Sequence, residues 1–147
     1  MKFIILFILT TTAVFASRPS SRSCEFYKTV EANYHCGSSG YPLQFGYRLC
    51  EKYRKAEPSM SKAVKRWFPK IRLCLQEYIA RNHGSFRSCS DLHQRAIDSH
   101  IGCYIKTGFC ELSWADSVQI LKVTSTDILN SDIIALSAKV NFACAGR

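Results

Sequence analysis

The sequence predicts an all-α domain: a small disulfide-stapled bundle of five to six short helices. Three observations carry this reading. Apolar residues recur at intervals of three and four along most of the chain, and capping and stop signals punctuate it repeatedly. No β-branched run reaches strand length, because Gln119 and Lys122 interrupt the apolar positions and Val123-Thr124 is too short by itself. Eight cysteines, Cys24, Cys36, Cys50, Cys74, Cys89, Cys103, Cys110 and Cys144, all follow an apolar N-terminal segment. An even count behind an export segment implies four disulfides made in an oxidising compartment.

Residues 1–16 read as a signal peptide: Lys2 gives the positive start, Phe3 to Leu9 the apolar run, and Val14-Phe15-Ala16 the cleavage site before Ser17. The run is broken by Thr10, Thr11 and Thr12 and falls short of the roughly 20 apolar residues that cross a bilayer. The expected mature product is therefore secreted and extracellular, one domain over 17–147, 131 residues (147 minus 16).

The first helix is expected between Cys24 and Cys36, and Gly37, Gly40 and Pro42 mark the loop after it. A second is expected from Phe45 to Ala56, closed by Glu57-Pro58. Ser59 or Ser61 can cap a third over Lys62 to Arg81, in which Val64, Phe68, Ile71, Leu75 and Tyr78 keep helical spacing and Pro69 should kink or divide the helix near Trp67. Asn82-His83-Gly84-Ser85 ends it. The clearest stripe is Cys89, Leu92, Ala96, His100, Cys103 and Tyr104, with Ser88 or Ser90 as cap, Asp91 in the first turn and Thr107-Gly108 as stop. Ser113 to Asp116 resembles a capping box and opens a short helix with Val118, Leu121 and Lys122. Ser125 or Thr126, followed by Asp127, can start the last, whose apolar positions are Ile128, Ile133 or Ile134, Leu136, Val140 and Cys144.

Charge is unevenly placed. The chain carries a net +9, and without Lys2 the mature part keeps +8. Between Arg48 and Arg72 lie nine basic residues, Arg48, Lys52, Arg54, Lys55, Lys62, Lys65, Arg66, Lys70 and Arg72, against Glu51 and Glu57, a net of +7. Outside the cell the polyanions on offer are sulfated glycosaminoglycan and anionic membrane rather than nucleic acid. A solvated basic helix face is the competing reading. The candidate contact residues for a polyanion or a receptor are Lys52, Arg54, Lys55, Lys62, Lys65, Arg66, Lys70 and Arg72.

From Cys50 onward the cysteine intervals are 24, 15, 14, 7 and 34 residues, including the step Cys103-Tyr104 through Cys110. This spacing resembles the stanniocalcin family of secreted glycoprotein hormones, over Cys24 to Cys144. The resemblance implies bridges Cys24–Cys50, Cys36–Cys89, Cys74–Cys103 and Cys110–Cys144, one choice among the 105 pairings open to eight cysteines. It further implies a secreted hormone or signalling factor linked to calcium or phosphate balance, acting on a cell-surface receptor or other extracellular protein. Family members carry an additional intrachain pair and a C-terminal cysteine that joins two chains, and this chain has neither. A monomer or non-covalent dimer is thus expected. It also has no Asn-x-Ser/Thr acceptor for N-glycosylation.

Two other classes stand beside the factor: a toxin-like effector that acts by binding, and a phospholipase A2-like hydrolase. Asp98-Ser99-His100-Ile101-Gly102-Cys103-Tyr104 superficially resembles the catalytic helix of secreted phospholipases, but that chemistry needs an Asp directly after the His to hold calcium, and Ile101 stands there. The other reading of His100 is a hydrogen-bonded core histidine. His35, His83, His93 and His100 show no metal-ligand spacing; His93 and His100 lie about 10 Å apart along a helix. No cofactor is expected, nor an enzymatic activity.

Overall fold

The computed structural model describes residues 17–124 and 131–146. The signal-peptide reading of residues 1–16 lies outside them. So do the start signals Ser125, Thr126 and Asp127 of the last helix, its Ile128, and the side chain of Ile133.

The described residues form an all-α bundle of six α-helices: α1 (Phe26–Tyr34), α2 (Arg48–Ala56), α3 (Lys62–Arg81), α4 (Cys89–Lys106), α5 (Trp114–Val123) and α6 (Ser131–Ala145). Four disulfides join Cys24 to Cys50, Cys36 to Cys89, Cys74 to Cys103 and Cys110 to Cys144, the partners that the resemblance implies. None of these eight is left as a free thiol.

Local chemistry sets most boundaries. Ser61 caps α3 by accepting from the Val64 amide at 3.2 Å, and Ser88 caps α4 by accepting from Asp91 at 3.1 Å. At α5 the box is complete: Ser113 Oγ accepts from the Asp116 amide and Asp116 accepts from the Ser113 amide, both at 3.1 Å. Asp116 also accepts from the Ser61 hydroxyl at 2.5 Å, which locks the start of α5 to the start of α3. That hydroxyl, followed by Ser113, holds the Asp116 carboxyl below its ordinary value.

Two elements differ from expectation. The helix foreseen from Phe45 begins instead as a π-helical turn over Tyr41–Tyr47 that runs into α2. It lies against α1, and a Cβ on Gly46 would stand 2.5 Å from a Tyr27 ring carbon. Only the missing side chain lets backbone and ring approach this closely. Pro69 does not divide α3, which is continuous from Lys62 to Arg81. Proline removes the hydrogen bond to the carbonyl of Lys65, but Lys65 is exposed, so water can take over that acceptor. On the opposite side Trp67, Phe68 and Ile71 are buried and hold the helix in line.

The core consists of two clusters. One gathers Tyr27, Val30, Tyr41, Phe45, Ile79 and Leu92 around α1, the π turn and α4. The other gathers Val64, Trp67, Phe68, Ile71 and Ile120 between α3 and α5. A largely apolar cavity of about 230 Å³ touches both.

Candidate polyanion-binding face

α3 is amphipathic in a way that serves two tasks. At 100° per residue, Lys62, Lys65, Arg66 and Lys70 fall within an arc of about 140° and along about 12 Å of helix. Val64, Trp67, Phe68 and Ile71 point the other way, into the core. The four basic residues are exposed, and among the described residues none of them forms an ion pair. No acidic residue lies between Glu57 and Glu77 to offset them. The first turn of α3 holds no acidic side chain either, so Lys62, Lys65 and Arg66 stand on the half of the helix where the backbone dipole is already positive. Stability alone favours acidic residues there.

The remaining candidates are placed differently. Lys55 is exposed near the end of α2. Arg54 is exposed but engaged by both oxygens of Glu51, Nε at 2.9 Å and Nη2 at 2.8 Å, and this pairing holds the Glu51 carboxyl below its usual range. Lys52 is half-buried and already has a partner. Arg72 is not on the face at all. It is 7% exposed, pairs with Glu57 at 2.8 Å and donates to the carbonyl of Ser21. Its helical phase lies only about 20° from that of exposed Lys65, so it is the cover supplied by Glu57 and the segment at Ser21, and not phase, that buries it. The contact role read for it from charge alone is corrected to a structural one.

Gln76, one turn on, was not singled out by sequence. Fully buried, it accepts from the Ser20 amide at 3.0 Å and donates to the carbonyls of Ser20 at 3.2 Å and Ser23 at 2.8 Å. Arg72 and Gln76 together strap the segment before α1 onto α3. The helical phase of Gln76 falls between those of Lys65 and Lys62, so the sequence carried no signal of its burial, which comes from partners 53 and 56 residues away. Lys70 and everything N-terminal to it stay uncovered by that strap.

The hydrolase motif is not assembled. His100 is 6% exposed, and its Nδ1 lies 2.8 Å from the carbonyl of Ala96. Asp98 is on the outer side of α4, where it accepts from Gln94 and faces Lys139 at 3.8 Å. Burial pulls the His100 ring down to about 4, so it is neutral at physiological pH. The described residues contain no cluster of three or more His, Cys, Asp or Glu side chains able to hold a metal ion. No described helix is long and apolar enough to cross a membrane.

Comparison with known proteins returns no match to any protein-family model, curated protein or solved structure.

Proposed function

We propose that the chain is a secreted, non-enzymatic binding factor that engages an extracellular polyanion, a sulfated glycosaminoglycan or the acidic face of a receptor, through the outer side of α3. One observation carries the reading: four cations without ion-pair partners on one face of a rigid, disulfide-anchored helix, placed where the helix dipole adds to their field. A solvated structural face needs no such uniform sign, whereas Arg81, farther along the same helix, is paired with Glu77. The bridge order supports the further reading that the factor is stanniocalcin-like, a hormone or signalling protein tied to calcium or phosphate balance.

Heparin chromatography tests the site. Replacing Lys62, Lys65, Arg66 and Lys70 together with Gln should move elution to much lower salt while circular dichroism stays unchanged. Replacing Arg54 should move it little, because Glu51 already offsets that charge. Elution of the quadruple variant at the wild-type salt concentration refutes the assignment. Saturable binding to cells without turnover of any ligand is the expected behaviour of the factor in culture.

A further inference from the structure

The segment that Arg72 and Gln76 hold against α3 brings charge of its own. Over residues 17–23 it reads Ser-Arg-Pro-Ser-Ser-Arg-Ser, with two cations and no acid. It is tied down at several points. The Ser17 amide donates to Thr29 Oγ1 of α1 at 2.9 Å, Gln76 bonds both the amide and the carbonyl of Ser20, and the carbonyls of Ser21 and Ser23 accept from Arg72 and Gln76. Arg18 and Arg22 are exposed, and among the described residues neither forms an ion pair.

These ties set Arg22 in line with the basic face of α3. At 100° per residue, Arg72 and Gln76 both fall within about 20° of Lys65, so the three share one row of the helix, with Arg72 about 10 Å beyond Lys65. The row is open at Lys65 and roofed at Arg72 and Gln76. Where the Arg72 guanidinium is used up in holding Glu57 and the Ser21 carbonyl, Arg22, the next residue along the segment, presents an exposed cation in its place. The positive ridge therefore passes from helix to segment, over about 15 Å of α3 from Lys62 to Arg72. Glu57, the carboxylate at the crossing, has its charge met by Arg72. Stability alone does not favour gathering like charges in this way.

We propose that Arg22 is a further contact of the polyanion site, and that the ligand is a linear sulfated glycosaminoglycan lying along α3 from Lys62 and crossing onto the segment at Arg22. The inference rests on the polyanion reading of α3 and deepens it. The linear form follows from the arrangement: cations strung along one ridge match a polymer whose charges repeat along its length, whereas a compact acidic patch would meet only part of them. Arg18 lies toward α1, beside the tie between Ser17 and Thr29, and is left out of the site. Each cation engaged releases counterions from such a polymer, so the salt dependence of binding counts the contacts.

The exported protein with its bridges intact is titrated calorimetrically with heparin over a range of salt, and with heparin oligosaccharides of increasing length. Wild-type affinity should rise with length until the ridge is spanned. R22Q should lower the slope of log affinity against log salt by about one on the full chain, while R22K keeps the wild-type slope. R87Q, which removes an exposed charge beyond the C-terminal end of α3, should leave the slope unchanged. An R22Q slope equal to that of the wild type overturns the proposal, as does an equal drop in R22Q and R87Q, which would mean that net charge alone is sensed. Wild-type affinity that does not grow from disaccharide to decasaccharide marks a compact anionic partner, such as an acidic protein, and overturns it too. The quadruple Gln variant of α3 keeps the two readings apart: if it binds heparin as the wild type does, the polyanion face itself fails, whereas if it weakens and R22Q does not, the segment alone is removed from the site.

Discussion

His100 makes a pH dependence that can be worked from the structure. The ring is buried against Phe45 and Tyr104, with centroids at 6.0 and 6.2 Å, and burial is the largest influence on it; the carbonyls of Ala96 and Ile97 oppose the effect only in part. Its folded value of about 4 lies below the 6.5 of an unfolded chain. Because the folded value is the lower one, the contribution is complete above pH 6.5 and is lost as the unfolded state takes up a proton that the native state refuses. Stability should fall by about 2 kcal/mol between pH 7 and 5 and about 3 kcal/mol by pH 4, from the gap between 6.5 and about 4. Urea unfolding followed by far-ultraviolet circular dichroism at half-unit pH steps measures this, and the interval from 7 to 5 keeps clear of most carboxylates. H100F should remove most of the slope, since His35, His83 and His93 remain in both proteins. A wild-type midpoint that is flat from pH 7 to 5, or an equal slope in a folded H100F, would refute the reasoning.

Two further outcomes test the packing. Gly46→Ala should cost about 1–3 kcal/mol in urea unfolding, because its methyl would meet the Tyr27 ring at 2.5 Å, a contact that only a shift of buried groups relieves. Replacing Cys36 and Cys89 together with Ser should lower stability by about 4 kcal/mol, the chain-entropy value for a separation of 53 residues, and lower the melting temperature accordingly.

Much of this fold is written locally. Ser61, Ser88 and Ser113 each have their amide partner three residues on, so capping could be read directly from the sequence. The stripe from Leu92 to Cys103 is buried as its period requires. What escaped reading depends on distant partners. The π turn exists because Gly46 meets Tyr27, nineteen positions earlier (46 minus 27), and no window along the chain brings the two together. Arg72 counted as one more positive charge because the groups that cover it, Glu57 and the carbonyl of Ser21, are not its neighbours along the helix. Four of the eight candidates, Lys62, Lys65, Arg66 and Lys70, share one exposed face since their spacing follows the helical period. The cavity had no sequence signal, being formed where residues from Tyr27 to Val140 fail to meet.

The last helix shows how the bridges divide their work. α6 packs chiefly on α4, buries Leu136 and Val140, and leaves Ile134 and Phe142 55% and 84% exposed. Two buried aliphatic side chains supply on the order of 3–6 kcal/mol. The Lys139–Asp98 pair, more than half exposed on the lysine side, adds at most about 1 kcal/mol. A helix of 15 residues is marginal by itself, so this docking must also meet the cost of ordering it. Against that balance, the Cys110–Cys144 bridge, spanning 34 residues, contributes about 4 kcal/mol in the chain-entropy model. Its loss should therefore release α6 locally while the rest, held by the other three bridges, stays folded. In C110S/C144S, hydrogen exchange should accelerate at the amides of 131–145 and remain slow in α3 and α4. Uniform acceleration across α3, α4 and α6 would mean that the bridge supports the whole bundle as one cooperative unit, and the local account would fail.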